Sequence, residues 1–178
     1  MFKIALFGYG RIGQMHAENI FNHNKFKLVY VYDKNVKLAL KSKKRFNCNV
    51  ISNYKIALKD KSIDIIFISS PTSTHIKFIE EAIQYKKIIF CEKPLDLSLS
   101  KVKKSFKKIK KFNNLIQLGF NRRYDPGHHN LKKLLNKNKI GRLEKIIITS
   151  RDPAPPSIQY LKVSGGIFKD MMIHDFDL

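Results

Sequence analysis

Three glycines stand near the start of the chain in Gly8-Tyr9-Gly10-Arg11-Ile12-Gly13, and an aspartate, Asp33, follows the last of them by 20 residues. A G-x-G-x-x-G string alone is a weak signal. Here it follows an apolar run at 2–7 that reads as a strand, and it opens an amphipathic stretch at 11–22 that reads as a helix. Asp33 ends the next apolar run, at 27–33. In that setting the pattern marks a dinucleotide site. Gly8 permits the tight turn, Gly10 lets the backbone approach a pyrophosphate, and Gly13 lets the helix pack closely on the strand. The helix N-terminus at Arg11 and Ile12 offers unpaired N–H groups and a partial positive charge to phosphates. Asp33 would accept hydrogen bonds from ribose hydroxyls and repel a 2′-phosphate, favouring NAD over NADP, while Lys34 beside it works against that preference. The competing reading is a plain strand-to-helix turn.

Further polar residues fall where strands end. Ser69-Ser70-Pro71-Thr72 closes the apolar run at 64–69. Ligands of open α/β sheets sit at the carboxyl ends of strands, so Ser69, Pro71 and Thr72 are expected beside the dinucleotide. An ordinary turn with a capping Thr is the other reading. His75 reads as a first-turn helix residue rather than a catalyst. Glu92-Lys93-Pro94 ends the next run, where Pro94 stiffens the turn. Lys93 there either reaches a bound substrate or is solvated, as lysines in so basic a chain usually are. Asp170 and His174 stand four apart, on one face of a last predicted helix. Histidine is the side chain suited to taking a hydroxyl proton near neutral pH, and a nearby carboxylate orients it. A surface ion pair is the alternative. No third ligand stands at a spacing suited to a metal. Cys48 and Cys91 stand far apart and read as buried small apolar residues in a reducing compartment.

The elements that carry these residues alternate. Strands at 2–7, 27–33, 50–51, 64–69, 88–92 and 115–119 are separated by helices at 11–22, 36–46, 54–58, 74–85 and 98–112. Ile65-Ile66-Phe67-Ile68 is apolar at every position, the mark of a strand buried on both faces. Strict alternation predicts an α/β, doubly wound parallel sheet, a Rossmann domain over residues 1–120. Beyond it the rhythm breaks. Residues 121–178 predict a helix through Leu131, Leu134 and Leu135, a lone strand at 143–150, a proline-rich loop at 151–157, and a helix opened by Gly165-Gly166 that runs to Leu178. These do not close a core of their own, so the segment reads as the beginning of an incomplete α+β domain.

Composition narrows the classes. The chain has 178 residues, 43% hydrophobic and 28% charged, which excludes a disordered chain. No apolar run approaches the roughly 20 residues of a membrane-spanning helix. The first apolar stretch is too short, and too soon broken by glycine, for a signal peptide. A cytoplasmic protein with no membrane partner is expected. Lys and Arg number 35 against 14 Asp and Glu, a net charge of +21. Only six of the 35 are Arg, the residue that nucleic-acid readers favour. An excess of Lys, Ile and Asn is also what an AT-rich coding sequence favours. The densest run, 101–111, puts Val102, Phe106 and Ile109 at helical spacing and reads as an amphipathic helix with a solvated basic face. No specific nucleic-acid partner is expected.

Taken together, Gly8-Tyr9-Gly10-Arg11-Ile12-Gly13-Gln14-Met15-His16, Glu92-Lys93-Pro94 and Gly119-Phe120-Asn121-Arg122-Arg123-Tyr124-Asp125 resemble the Gfo/Idh/MocA oxidoreductases. Ser150-Arg151-Asp152-Pro153 and Val163-Ser164-Gly165-Gly166-Ile167-Phe168-Lys169-Asp170-Met171-Met172-Ile173-His174-Asp175-Phe176-Asp177 are most similar to the inositol dehydrogenases among them. The resemblance covers the whole chain. It implies NAD-dependent oxidation of a ring hydroxyl of myo-inositol, or of a related cyclic polyol or sugar, to a ketone. It implies Lys93, Asp170 and His174 as catalytic positions, with His174 the base, and Arg122 as a further substrate contact. The cofactor contacts it implies are Gly8, Gly10, Arg11, Ile12, Gly13, Asp33, Ser69, Pro71, Thr72, Glu92 and Lys93. Family members continue into an open sheet that backs the substrate pocket and joins subunits, implying a homo-oligomer for a full-length form. In a chain ending at Leu178 the apolar residues Ile167, Met171 and Phe176 would lose their packing partner. A non-catalytic NAD-binding regulator or remnant is then the alternative.

Overall fold

The apolar runs form six strands: β1 (Phe2–Phe7), β2 (Phe26–Tyr32), β3 (Asn49–Ile51), β4 (Ile65–Ile68), β5 (Ile88–Cys91) and β6 (Ile116–Leu118). The structure, a computed structural model, describes residues 1–178. It divides into two compact units, Met1–Gly119 and Phe120–Leu178. In the first unit all neighbouring strands are parallel and the sheet order is β3-β2-β1-β4-β5-β6. Order reverses between β1 and β4, the topological switch point at which such sheets bind ligands.

Helices α1 (Arg11–Asn22), α2 (Val36–Phe46), α3 (Lys55–Lys59), α4 (His75–Ala82) and α5 (Leu99–Ile109) connect the strands. Successive side chains of a strand point to opposite faces, and β1 shows the consequence. Ile4 and Leu6 pack with Ala17, Ile20, Ala39 and Phe46 of α1 and α2. Ala5 and Phe7 pack with Ala57, Leu58, Phe78 and Ile79 of α3 and α4. The central strands are thus sealed on both sides, as their unbroken apolar sequence requires. Cys48 and Cys91 are buried free thiols, and burial pushes both thiols up, which keeps them protonated and inert. Along α5 the inward line runs through Val102, Ser105 and Ile109, and Phe106 is 62% exposed. The expected stripe through Phe106 is therefore corrected: the sheet-facing line steps three residues from 102, to the small Ser105, rather than four.

One lysine is buried. Lys87, at the start of β5, extends its ammonium to the carbonyls of Asp60 and Ile63, both at 2.6 Å. Burial pushes this amine below its ordinary range, opposed by Asp60 and Asp64. It sits at the amino edge of the sheet, away from the glycine loop.

The second unit contains a 3-10 turn (Asn121–Tyr124) and helices α6 (Pro126–Asn136), α7 (Ile158–Ser164), α8 (Ile167–Asp170) and α9 (Ile173–Asp177). Asp125 caps α6, accepting from the His128 amide at 3.0 Å, and Pro126 is pre-set for the first helical position. Two expectations fail here. Residues 143–150 form no strand: this unit offers no second strand to pair with, and Ile147 is 78% exposed. The last helix is not continuous. Met171 and Met172 both donate to the Ile167 carbonyl, and the ladder restarts from the Met171 and Met172 carbonyls. Ile167 and Phe176 remain exposed.

Candidate functional site

Every candidate residue of the first unit lies beyond a strand's carboxyl end. The Gly8 amide continues the β1–β2 ladder, donating to Tyr32 at 2.8 Å, and Gly8 adopts φ +94°, a conformation costly for any residue with a side chain. A Cβ on Gly8 would lie 2.4 Å from the Ser70 amide nitrogen, and one on Gly13 would lie 2.1 Å from the Gly8 carbonyl oxygen. These two glycines are demanded by the chain's own packing. Gly10 is different. It caps α1 with φ −66°, and nothing stands within 4 Å of where its Cβ would be. No side chain caps α1 and no acidic residue occupies its first turn, so its first N–H groups face an open cradle. The cradle fits a pyrophosphate, with Arg11 exposed and Ile12 half-buried at its rim. We therefore expect Gly10→Ala to lose about 1 kcal/mol of stability or less while weakening NAD binding about tenfold or more. Thermal melting and calorimetric titration of the same sample check both.

Asp33 is already engaged on both carboxylate oxygens. Oδ2 accepts from the Tyr9 amide and Oδ1 from the Asn35 amide, each at 2.7 Å. The carboxylate thus anchors the glycine loop, and its remaining lone pairs are what a ribose would use. Across the switch point, Ser69 donates its hydroxyl to the Gly8 carbonyl at 2.9 Å, tying the β4 loop to the glycine loop. Pro71 is exposed, and half-buried Thr72 opens a 3-10 turn (Thr72–Thr74). No Thr side chain caps the helix that follows: Thr74 Oγ1 donates to the Pro71 carbonyl at 2.7 Å instead.

Glu92 and Lys93 follow β5, and the Lys93–Pro94 bond is cis. Glu92 is held by a residue that sequence reasoning gave no role. His16, on the second turn of α1, places Nε2 2.7 Å from Glu92 Oε1, and its ring lies on Phe67 with centroids 4.6 Å apart. The other oxygen, Oε2, accepts from the Lys93 amide at 3.2 Å, and Gly119 leaves room for the carboxylate. The sequence signal for His16 was its place three residues after Gly13, at the end of the segment that resembles the family.

In the second unit, Asp170 ends α8 and His174 lies in α9, so they are not on one continuous helix. Tyr160 of α7 donates its hydroxyl to Asp170 at 2.8 Å, and the His174 ring meets Phe120 edge-on with centroids 6.2 Å apart. Two arginine–aspartate pairs fasten α9 to the Asn121–Tyr124 turn. Arg122 pairs with Asp175, and Ser150 bridges the two, lying 3.2 Å from the guanidinium and donating to Asp175 at 2.9 Å. Arg123 grips Asp177 with two bonds of 2.7 and 2.6 Å, holding that carboxyl below its ordinary range. Ser150, Asp175 and Asp177 were not singled out from sequence; Arg-Arg facing Asp-x-Asp was the available signal. No group of three or more His, Cys, Asp or Glu side chains is placed to hold a metal ion.

A 3-2-1-4-5-6 parallel sheet, a glycine loop with one unfilled cradle and an aspartate after β2 define a dinucleotide-binding unit of the Rossmann class. The model of the oxidoreductase family with an NAD-binding Rossmann fold, Gfo/Idh/MocA, matches residues 2–120. The chain belongs to that family. Inositol 2-dehydrogenase of Rhizobium meliloti (strain 1021) is 39% identical over 176 residues, covering 99% of this chain and 53% of that protein. A crystal structure of a myo-inositol dehydrogenase from Corynebacterium glutamicum matches with a TM-score of 0.92 at 39% identity, over 99% of this chain and 53% of that one. The myo-inositol dehydrogenase of Lactobacillus casei, solved in complex with NAD(H) and myo-inositol, matches with a TM-score of 0.75 at 31% identity, over 79% of this chain and 43% of that one. The chain spans about half the length of the relatives it matches. No helix is long and apolar enough to cross a membrane.

Proposed function

We propose that this chain is the dinucleotide-binding half and the start of the substrate half of an NAD-dependent dehydrogenase that oxidises a ring hydroxyl of myo-inositol, or of a related cyclic polyol, to a ketone. The observation that carries the reading is the likeness to inositol dehydrogenases along 99% of the chain, in a sequence with Lys93, Asp170 and His174 at the positions the resemblance implies as catalytic. Gly8, Gly10, Arg11, Ile12 and Gly13 would hold the pyrophosphate; Asp33 the ribose; Ser69, Pro71, Thr72 and Glu92 the nicotinamide side. Bound NAD supplies a hydride acceptor. His174 takes the hydroxyl proton. Lys93 donates a hydrogen bond to the reacting oxygen as negative charge grows on it. Asp170 orients the substrate, and Arg122, with donors beyond those given to Asp175 and Ser150, binds a neighbouring hydroxyl. Residues 121–178 begin the domain that carries substrate contacts and subunit contacts, so the working protein is a homo-oligomer. Two lone buried thiols suit a cytoplasmic location.

The test uses the protein as its own cells make it, with its intact mass measured alongside: calorimetric titration with NAD, then NADH formation with myo-inositol. Turnover supports the reading. Binding without turnover of any cyclic polyol returns the chain to a non-catalytic NAD-binding role. No binding overturns it. Within this reading Asp33→Ala narrows the preference for NAD over NADP, bringing the ratio of the two dissociation constants about tenfold or more toward one. The ratio is the informative quantity. Losing the bonds to Tyr9 and Asn35 loosens the loop for both dinucleotides alike, so only the 2′ position divides them. An unchanged ratio removes Asp33 from the site.

A further inference from the structure

His75 is 1% exposed, and both of its ring nitrogens are committed. Nδ1 lies 2.8 Å from the Pro94 carbonyl oxygen and Nε2 lies 2.8 Å from the Ser70 carbonyl oxygen. A carbonyl only accepts, so the ring spans two acceptors, one at each nitrogen. The two carbonyls belong to different loops at the same sheet edge. Ser70 sits in the loop after β4, whose Ser69 hydroxyl binds the Gly8 carbonyl. Pro94 directly follows Lys93, whose own amide is held on the other side by Glu92, itself held by His16. The Ser70 loop is knit internally, with Ser70 Oγ 2.6 Å from Thr74 Oγ1, so a pull at Ser70 is transmitted rather than absorbed.

We propose that His75 is a positioning residue that locks the Lys93 loop to the dinucleotide loop, with Nδ1 setting Lys93 through the Pro94 carbonyl and Nε2 setting the dinucleotide side through the Ser70 carbonyl. The proposal rests on the reading of Lys93 as the group that meets the reacting oxygen. It goes beyond that reading by giving one buried imidazole two separable duties. A packing role would also fill the space beneath the sheet edge, but would not divide between the two nitrogens.

Two conservative variants make the division measurable. Asparagine places an amide nitrogen near the position of Nδ1, and glutamine near that of Nε2. His75→Asn therefore keeps the bond to Pro94, and His75→Gln keeps the bond to Ser70. Two readouts, neither of which needs turnover, follow in the whole protein: the NAD dissociation constant by calorimetry, and the rate of trace acetylation of Lys93 by acetic anhydride, mapped by peptide mass against Lys101 as internal reference. His75→Asn is expected to weaken NAD binding about fivefold with Lys93 acetylation within about twofold of wild type. His75→Gln is expected to do the reverse, changing Lys93 acetylation about fivefold while NAD affinity stays within about twofold. Equal shifts of both readouts in both variants, tracking a common loss of melting temperature, overturn the proposal in favour of plain packing; so does no shift in either. If wild type fails to bind NAD, the functional reading falls. The two acetylation rates then decide the positioning claim alone, standing if only His75→Gln alters them and falling otherwise.

Discussion

If the proposed function holds, replacing Lys93 by alanine is expected to lower turnover of the cyclic polyol about a hundred- to a thousandfold and to leave the NAD dissociation constant within about twofold. The size follows from where the charge develops. As the hydroxyl loses its proton and the carbon bearing it gives up a hydride to bound NAD, the oxygen passes through an alkoxide-like state, and a donor held beside it would act mainly on the transition state. The sparing of NAD follows from how the loop is held. The Lys93 amide bonds Glu92 Oε2, and the next residue's carbonyl bonds His75, so both anchors are backbone groups that alanine retains. Glu92 stays pinned by His16. The loop therefore keeps its course while losing one ammonium. Steady-state kinetics with myo-inositol, beside calorimetry with NAD, reads the two effects separately. Turnover within tenfold of wild type removes Lys93 from the chemistry, and a matching loss of NAD affinity means the side chain serves the loop instead. Lysine to arginine is not a rescue, because a planar fork on a longer stem aims its donors elsewhere.

The first unit was legible because its information is local and repeated. Ile65-Ile66-Phe67-Ile68 announces a strand buried on both faces, and the glycine spacing announces the turn and the helix after it. Six such runs, read in order, leave little choice of topology once crossovers are right-handed and short. What stayed hidden depends on partners far apart in sequence. His16 meets Glu92 across 76 positions, and Lys87 reaches back to Asp60 and Ile63. Composition counted Lys87 as one more solvated lysine, although it is buried. His75 is the first-turn residue its position announced, but the carbonyls its ring meets, at Ser70 and Pro94, were not legible. In the second unit the same local logic overreached. Ile146-Ile147-Ile148 has strand character, but a strand exists only with a neighbour to bond, and none is present in that unit. Asp170 and His174 have helical spacing, but Met171 and Met172 share one acceptor carbonyl, and the turn breaks between the two residues. Periodicity predicts which residues prefer an element; the hydrogen-bond partner decides whether it forms.

The three glycines of the loop give the sharpest separation of folding from binding. Gly8→Ala and Gly13→Ala are each expected to destabilise the first unit severely, by about 3 kcal/mol or more for Gly8. Two costs add at Gly8: a side chain at φ +94°, and a Cβ 2.4–2.6 Å from the Ser69–Ser70 backbone, which has no rotamer to move away. Gly13 is in ordinary helical conformation, so its cost is contact alone. That contact, 2.1 Å to the Gly8 carbonyl oxygen, is tighter still. Relief requires α1 to lift from the β1 turn on which it packs. For a chain of this size a loss of 3 kcal/mol lowers the melting temperature by roughly 6–12 °C. Against total stabilities of about 5–15 kcal/mol, much of the first unit's margin is gone. Gly10→Ala meets open space and should melt within a few degrees of wild type while binding NAD poorly. Thermal melts of the three variants without ligand decide the matter: if all three melt together, the glycines share one structural role and the open cradle at Gly10 is not a ligand site. If Gly8 and Gly13 fail while Gly10 folds and loses only affinity, packing demands the outer two glycines and the dinucleotide demands the middle one.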